Sequence, residues 1–278
     1  MRLFSGLAAL LLTLTGCSPV GLLNVLVSRD AFERHPDIAY GEGDRRRLDV
    51  YVPREPASGP RPVVVFFYGG SWKGGERSSY LFVAEALASR GFVVVIPDYR
   101  VFPEVRYPGF VEDAAAAFAW THREIARYRG NPRKLFVMGH SAGAQIATML
   151  AYNPRFLAKE GLERGSIRGV IGMAGPYDFV PTAADIRSIL SGEGDLEAAM
   201  PARFVRGGEP PSLLITGDQD TTVSPGNQER LAARLRKAGS PVEERRFAAL
   251  NHYTLIGRLA TPFRNDELLD AITAFAGR

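Results

Sequence analysis

Apolar residues fall into two patterns that alternate along this chain. One is the short unbroken run: Val63-Val64-Val65-Phe66-Phe67, then residues 92–96, 134–138 and 170–173, then Leu213-Leu214-Ile215. Runs rich in β-branched and aromatic residues predict strands covered on both faces, as in a parallel sheet. The other pattern has helical spacing. It occupies residues 76–90, stopping at Gly91, and the alanine-rich 112–128, stopping around Gly130-Asn131-Pro132. It returns over 142–152, 227–237 and 266–275. Ile38-Ala39-Tyr40 and the alternating Leu48-Asp49-Val50-Tyr51-Val52 predict opening strands, and 242–247 a closing one. Strands that alternate with helices imply an α/β fold, a mostly parallel central sheet flanked by helices. Only residues 176–211, with Gly192, Gly194, Gly207 and Gly208, break the rhythm. A connection of that length predicts a small cap over a site.

The chemistry begins where one apolar run stops. Residues 135–143 read Leu-Phe-Val-Met-Gly-His-Ser-Ala-Gly, so Ser141 stands between Gly139 and Gly143 at a strand-to-helix turn. This is the Gly-x-Ser-x-Gly nucleophile elbow, in which small flanking residues let strand and helix approach while the hydroxyl stays exposed. A serine hydroxyl needs an adjacent base, usually histidine. Of the four histidines, His35 lies in the leading segment, His122 on an earlier helix, and His140 inside the elbow, where it packs beside the site. His252 alone follows the elbow, and the order serine, acid, histidine selects it. The acid should follow a strand between them. Asp218 and Asp220 both follow 213–215, and Asp178 follows the preceding strand. Asp218 suits a hydrogen bond to the turn backbone, whereas Asp220 lies further out and precedes Thr-Thr-Val. An acid there holds the imidazole in the right tautomer. The remaining need is backbone N–H groups aimed at a developing oxyanion. Ala142, after the serine, supplies one, and the loop Tyr68-Gly69-Gly70-Ser71-Trp72 the others. That loop lacks the endings of a phosphate cradle. Lys73 reads as a solvated charge, and Trp72 as either a pocket wall or packing.

Composition narrows the picture further. The 278 residues suit a single large α/β domain. The net charge of +4 arises from 34 basic and 30 acidic residues spread along the chain. Arg45-Arg46-Arg47 abuts a strand and reads as its solvated end, and no aromatic-basic interleaving supports a nucleic-acid partner. The single cysteine excludes an intrachain disulfide and a cysteine metal cluster. That cysteine is Cys17. Met1-Arg2 and an apolar stretch over 3–14 precede it, a secretory signal peptide too short to span a bilayer well. Leu14-Thr15-Gly16-Cys17 resembles a bacterial lipobox, which implies a lipid-modified Cys17 as first mature residue. Ser18 in the next position resembles the signal for the outer membrane. The expected layout is a lipoprotein signal peptide at 1–16, a tether at 17–37 and a catalytic domain at 38–278. The expected location is the bacterial cell envelope, lipid-anchored at the outer membrane and facing the periplasm.

Phe67-Tyr68-Gly69-Gly70-Ser71-Trp72, Pro97-Asp98-Tyr99-Arg100, Gly-His-Ser-Ala-Gly, Gly-Asp-Gln-Asp-Thr-Thr-Val and Asn251-His252-Tyr253 follow one another along the chain. In that order they resemble the α/β-hydrolase carboxylesterases related to hormone-sensitive lipase. The opening, Ile38 to Gly41 then Leu48 to Tyr51, is more similar to the bacterial esterase and kynurenine-formamidase-like branch. The resemblance implies a Ser141–Asp220–His252 triad and an oxyanion hole of Gly70, Ser71 and Ala142. It further implies a hydrolase of carboxylic esters (EC 3.1.1 type) with short acyl chains, acting on small molecules without metal or cofactor. Tyr68 stands where the family usually has histidine, which puts the rigidity of that loop in question. Asp98, Tyr99 and Arg100 look like braces for the loop after their strand. An amidase, formamidase or peptidase could use the same residues, and a non-catalytic binding lipoprotein could use the same scaffold.

Overall fold

A computed structural model describes residues 21–192 and 194–278. Eight strands form one sheet: β1 (Phe32–Ala39), β2 (Arg47–Pro53), β3 (Arg61–Phe67), β4 (Val93–Pro97), β5 (Gly130–His140), β6 (Gly169–Met173), β7 (Ser212–Gly217) and β8 (Val242–Phe247). Their order across the sheet is β1-β2-β4-β3-β5-β6-β7-β8. β1 pairs antiparallel with β2, and β2 with β4; from β4 to β8 every pairing is parallel. The helices are α1 (Leu81–Ala88), α2 (Gly109–Glu124), α3 (Ala142–Tyr152), α4 (Pro154–Lys159), α5 (Ala184–Leu190), α6 (Gly226–Lys237), α7 (His252–Gly257) and α8 (Asp266–Ala276).

The unbroken apolar runs are the inner strands. β4, β6 and β7 are buried at every position, as a sheet covered on both faces requires. β8 instead carries Glu243, Glu244, Arg245 and Arg246 along the sheet's edge. Charges there discourage pairing with another chain. β5 begins at Gly130, earlier than its apolar run, because its first half is only partly buried and so lacks the apolar signature. The helical pattern of 76–90 resolves into a 3-10 turn, Arg77–Tyr80, and α1, whose eight residues are all buried. α4 and α7, of six residues each, are too short to show periodicity. The 176–211 insert holds α5 and two 3-10 turns, Leu196–Ala199 and Pro201–Phe204.

The tether expected over 17–37 is not what the described residues show. Gly21–Leu26 is a 3-10 helix fixed to the body. The Asn24 amide donates to the Ser78 carbonyl (2.8 Å) and accepts from the Phe82 N–H (3.1 Å) in the first turn of α1. The sheet then starts at Phe32, before residue 38. Residues 1–16 and Cys17 lie outside the described residues.

Candidate active site

Every residue of the expected constellation sits at the C-terminal ends of parallel strands, where open α/β sheets bind ligands. Ser141 follows β5 with φ 57° and ψ −124°, a conformation rare for any residue with a side chain. Backbone contact imposes it. A Cβ on Gly139 would collide with the Gly143 carbonyl, and one on Gly143 with the carbonyls of Phe67 and Tyr68 at the end of β3. Strand β5, helix α3 and the loop after β3 therefore meet backbone to backbone. The Ser141 N–H is held by the Met173 carbonyl of β6 (2.9 Å).

The histidine and the acid arrive on two turns laced together. Asp218 N–H donates to the Phe247 carbonyl (3.1 Å) and Gln219 N–H to the Leu250 carbonyl (3.0 Å). This joins the turn after β7 to the one after β8. His252 opens α7, where Asn251 forms a capping box with Thr254. The result is a continuous chain: His252 Nε2 lies 2.9 Å from Ser141 Oγ, and His252 Nδ1 lies 2.8 Å from Asp220 Oδ2. The other carboxylate oxygen, Asp220 Oδ1, accepts from the N–H groups of Thr222 (2.9 Å) and Val223 (2.8 Å). The Thr-Thr-Val sequence thus aims the carboxylate. Of the competing acids, Asp218 turns outward to Arg246 (2.8 Å). Asp178 faces Arg234 and Arg230 (3.4 and 3.9 Å).

Gly70, Ser71 and Ala142 all line the cavities that open at Ser141. Gly70 has φ +142°, and a Cβ there would strike the Gly74 carbonyl. Ser71 and Trp72 also adopt positive φ, 53° and 57°. Such strained backbone persists only where its surroundings over-determine it. Tyr68 supplies those surroundings. Its buried ring stacks between Tyr80 (5.4 Å) and Tyr99 (4.8 Å). Its hydroxyl donates to Asp98 Oδ1 (2.7 Å) and accepts from Arg45 Nη2 (3.0 Å). Tyr99 in turn donates to the Tyr68 carbonyl (2.7 Å). Tyr68, where the family usually has histidine, thus fixes this loop through its own stacking and hydrogen bonds.

Of Arg45-Arg46-Arg47, expected as a solvated strand end, Arg45 and Arg46 turn to the protein instead. Arg45 also donates to the carbonyls of Tyr99 (2.9 Å) and Gly75 (2.7 Å), clasping both flanks of the loop. Arg46 pairs with buried Asp113 (2.7 Å), which also takes Arg100, and Arg47 pairs with Asp37 (3.1 Å). The signal that could have revealed them lay in the aspartates. Asp49, Asp98 and Asp113 interrupt apolar stretches and are buried, so each demands cations or N–H donors. Burial alone would raise the Asp49 pKa; the Asp37 N–H, Arg77 and Arg34 outweigh it and hold the carboxyl below its ordinary value.

Two lobes meet at Ser141. One, of about 310 Å³, is walled by Trp72, Pro176, Phe179 and Ile186, so the 176–211 insert does cover the site. Trp72 both lines this lobe and packs: its indole donates to Gln145 (3.1 Å), which donates to the Ala199 carbonyl of the insert (2.8 Å). Lys73, expected to be solvated, instead meets Asp185 of α5 (2.6 Å) in an exposed pair. The second lobe, of about 220 Å³, lies over His252, His140, Tyr80 and Tyr253.

The sequence comparisons place the chain among known proteins. The BD-FAE family profile matches residues 48–235. The chain belongs to the BD-FAE family. Among curated relatives, the isoprenylcysteine alpha-carbonyl methylesterase ICME of Arabidopsis thaliana is 28% identical over 85% of this chain and 60% of its own. Esterase LipC of Mycobacterium tuberculosis is 29% identical over 72% of this chain and 54% of its own. The BD-FAE chain thus spans between 54% and 60% of the length of these relatives. In fold it is similar to a truncated carbohydrate esterase from gut microbiota, with TM-score 0.77, 19% identity, and coverage of 91% of this chain and 99% of that one. Thermogutta terrifontis esterase 2, solved phosphonylated by sarin, aligns with TM-score 0.73 and 25% identity over 89% and 95% of the two chains.

His140 was expected to pack beside the site, and it does more. Its Nε2–H donates to the His252 carbonyl (3.0 Å), and the two rings lie 4.8 Å apart. Burial and then the neighbouring His252 push its pKa down to about 3. Unfolded, His140 binds a proton once the pH falls below about 6.5. The native state therefore loses stability as the pH drops from 6.5 toward 3. A His140→Gln variant keeps an amide donor for that carbonyl but cannot titrate. It is expected to lose less stability than the native chain across this window, checked by urea unfolding midpoints at about pH 7 and about pH 4.5.

Proposed function

We propose that this BD-FAE family chain is a serine hydrolase that cleaves carboxylic esters through an acyl-enzyme. One observation supports this above the rest: the continuous chain from Ser141 Oγ through His252 to Asp220, with links of 2.9 and 2.8 Å. With its Nδ1–H donated to Asp220, His252 presents a bare Nε2 to the serine, the tautomer a general base requires. Ser141 attacks the ester carbonyl as Nε2 takes its proton. The oxygen that gains charge is assigned to the N–H groups of Gly70, Ser71 and Ala142, which line the cavities at Ser141; Ala142 is also the first residue of α3, at the positive end of that helix. Nε2 returns the proton to the leaving alkoxide. Water, deprotonated by the same nitrogen, then releases the acid.

The leaving oxygen must come within reach of Nε2, so the alcohol lies in the lobe over His252 and the acyl group in the lobe under Trp72 and the insert. That acyl lobe, walled by Phe179 and Ile186, suits a short acyl chain. The esterase names of the relatives point the same way. In purified protein, Ser141→Ala is expected to lower kcat/KM for p-nitrophenyl butyrate by about 10⁴-fold or more. Turnover within tenfold of the native chain would remove Ser141 from the mechanism.

The leader and Leu14-Thr15-Gly16-Cys17 support anchoring through a lipid on Cys17 at the outer membrane, facing the periplasm. Among the described residues, no helix is long and apolar enough to cross a membrane. Cys17→Ala is expected to move the protein from the membrane to the soluble fraction of fractionated bacterial cells.

A further inference from the structure

Large exposed apolar side chains are not scattered over the described surface. Leu22, Val25, Leu26, Tyr253 and Phe263 are each between 45% and 75% exposed. They come from two segments far apart in sequence, residues 22–26 and 253–263, and Leu23 of the first meets Tyr253, Ile256 and Phe263 of the second at one apolar groove of about 690 Å³. The sixth such residue, Val180, follows Phe179 of the acyl lobe. Clustered exposure of this kind marks an interaction surface.

Three features identify the partner. First, the apolar turn is held in place. In a 3-10 helix residues three apart align, so Leu22 and Val25 stand together facing outward while Asn24 pins the turn to α1. Second, Gly21, the first residue of that turn, lies four positions after Cys17 in sequence, a distance of at most about 14 Å in extended chain. A lipid on Cys17 would bring this turn to the bilayer surface. Third, Arg258 lines the groove and stands exposed, as suits anionic headgroups.

We propose that this face lies on a phospholipid surface and takes its substrate from it. Tyr253 and Ile256 line both the groove and the alcohol lobe over His252. The groove thus continues the path of the leaving alcohol. The substrate class is a short-acyl ester of a lipophilic alcohol dissolved in the membrane. This last point rests on the ester-hydrolase reading; the docking does not.

The test uses the full chain with Cys17→Ser, mixed with vesicles of phosphatidylethanolamine and phosphatidylglycerol. An environment-sensitive dye is placed on Phe263→Cys, or on Arg133→Cys near the start of β5, about 25 Å from the site along the strand. Vesicles should blue-shift and brighten the Phe263 dye only. The shift should vanish when Leu22, Val25 and Leu26 are all changed to serine. That triple variant should hydrolyse soluble p-nitrophenyl acetate at the native rate, yet release butyrate from vesicle-borne hexadecyl butyrate about tenfold more slowly. An unmoved Phe263 dye, equal movement of both dyes, or an equal rate on the vesicle substrate would overturn the proposal. A native chain that shifts the dye but leaves p-nitrophenyl acetate intact would instead sink the hydrolase reading while sustaining the docking.

Discussion

The close approach of three backbones at the elbow is the constraint on which the rest of this structure depends. Gly139 and Gly143 let β5 and α3 fold against one another and against the end of β3. With no side chain between them, the turn has room only for Ser141 at φ 57°. That one contact sets three things together. It lifts the Ser141 hydroxyl above the sheet, puts the Ala142 N–H at the start of α3, and fixes where the Tyr68–Trp72 loop must run. Gly69 extends the same logic, since a Cβ on it would press on Ser141 itself. The strain is small beside the cooperative packing that enforces it: β3, β5 and β6 are the buried centre of the sheet.

A second layer keeps the site from relaxing. Asp49, Asp98 and Asp113 lie beneath the loops on the β1–β4 side, each satisfied by arginines and backbone N–H groups. Removing one partner from such a network leaves a buried charge exposed to a poor dielectric, which costs far more than the pair contributes. Arg45 and Arg46 of the opening segment are therefore directed inward. Arg45 links Tyr68, Tyr99 and Gly75, so a residue nearly a hundred positions before Ser141 braces the loop that faces it. On the other side, the lacing of residues 218–219 to 247–250 makes the acid and the histidine one unit.

Much of this was legible from residue order. Buried parallel strands leave continuous apolar runs, and a strained elbow demands glycines, so β3 to β7 and Ser141 stood out. The order of acid and histidine followed from topology, and Asp220 rather than Asp218 makes the contact because Thr222 and Val223 turn their N–H groups to it. What could not be read was tertiary pairing. Arg45 and Arg46 have the local composition of a solvated turn, and only the folded chain brings them to Tyr68 and Asp113. The docked turn at Gly21–Leu26 was equally hidden, because Asn24 and the packing of Leu23 hold it rather than any periodic pattern. His140 reads as a neighbour of the nucleophile, whereas its contact to the His252 carbonyl spans 112 positions.

The central claim is that one serine, placed by that elbow, accepts the acyl group. Mass spectrometry after treatment of the purified chain with a fluorophosphonate tests it most directly. The account predicts a single covalent adduct, mapped to Ser141, that an Asp220→Asn change slows and that excess ester substrate delays. A folded chain that takes up no adduct, or takes it up on another residue with Ser141 unmodified, would contradict it.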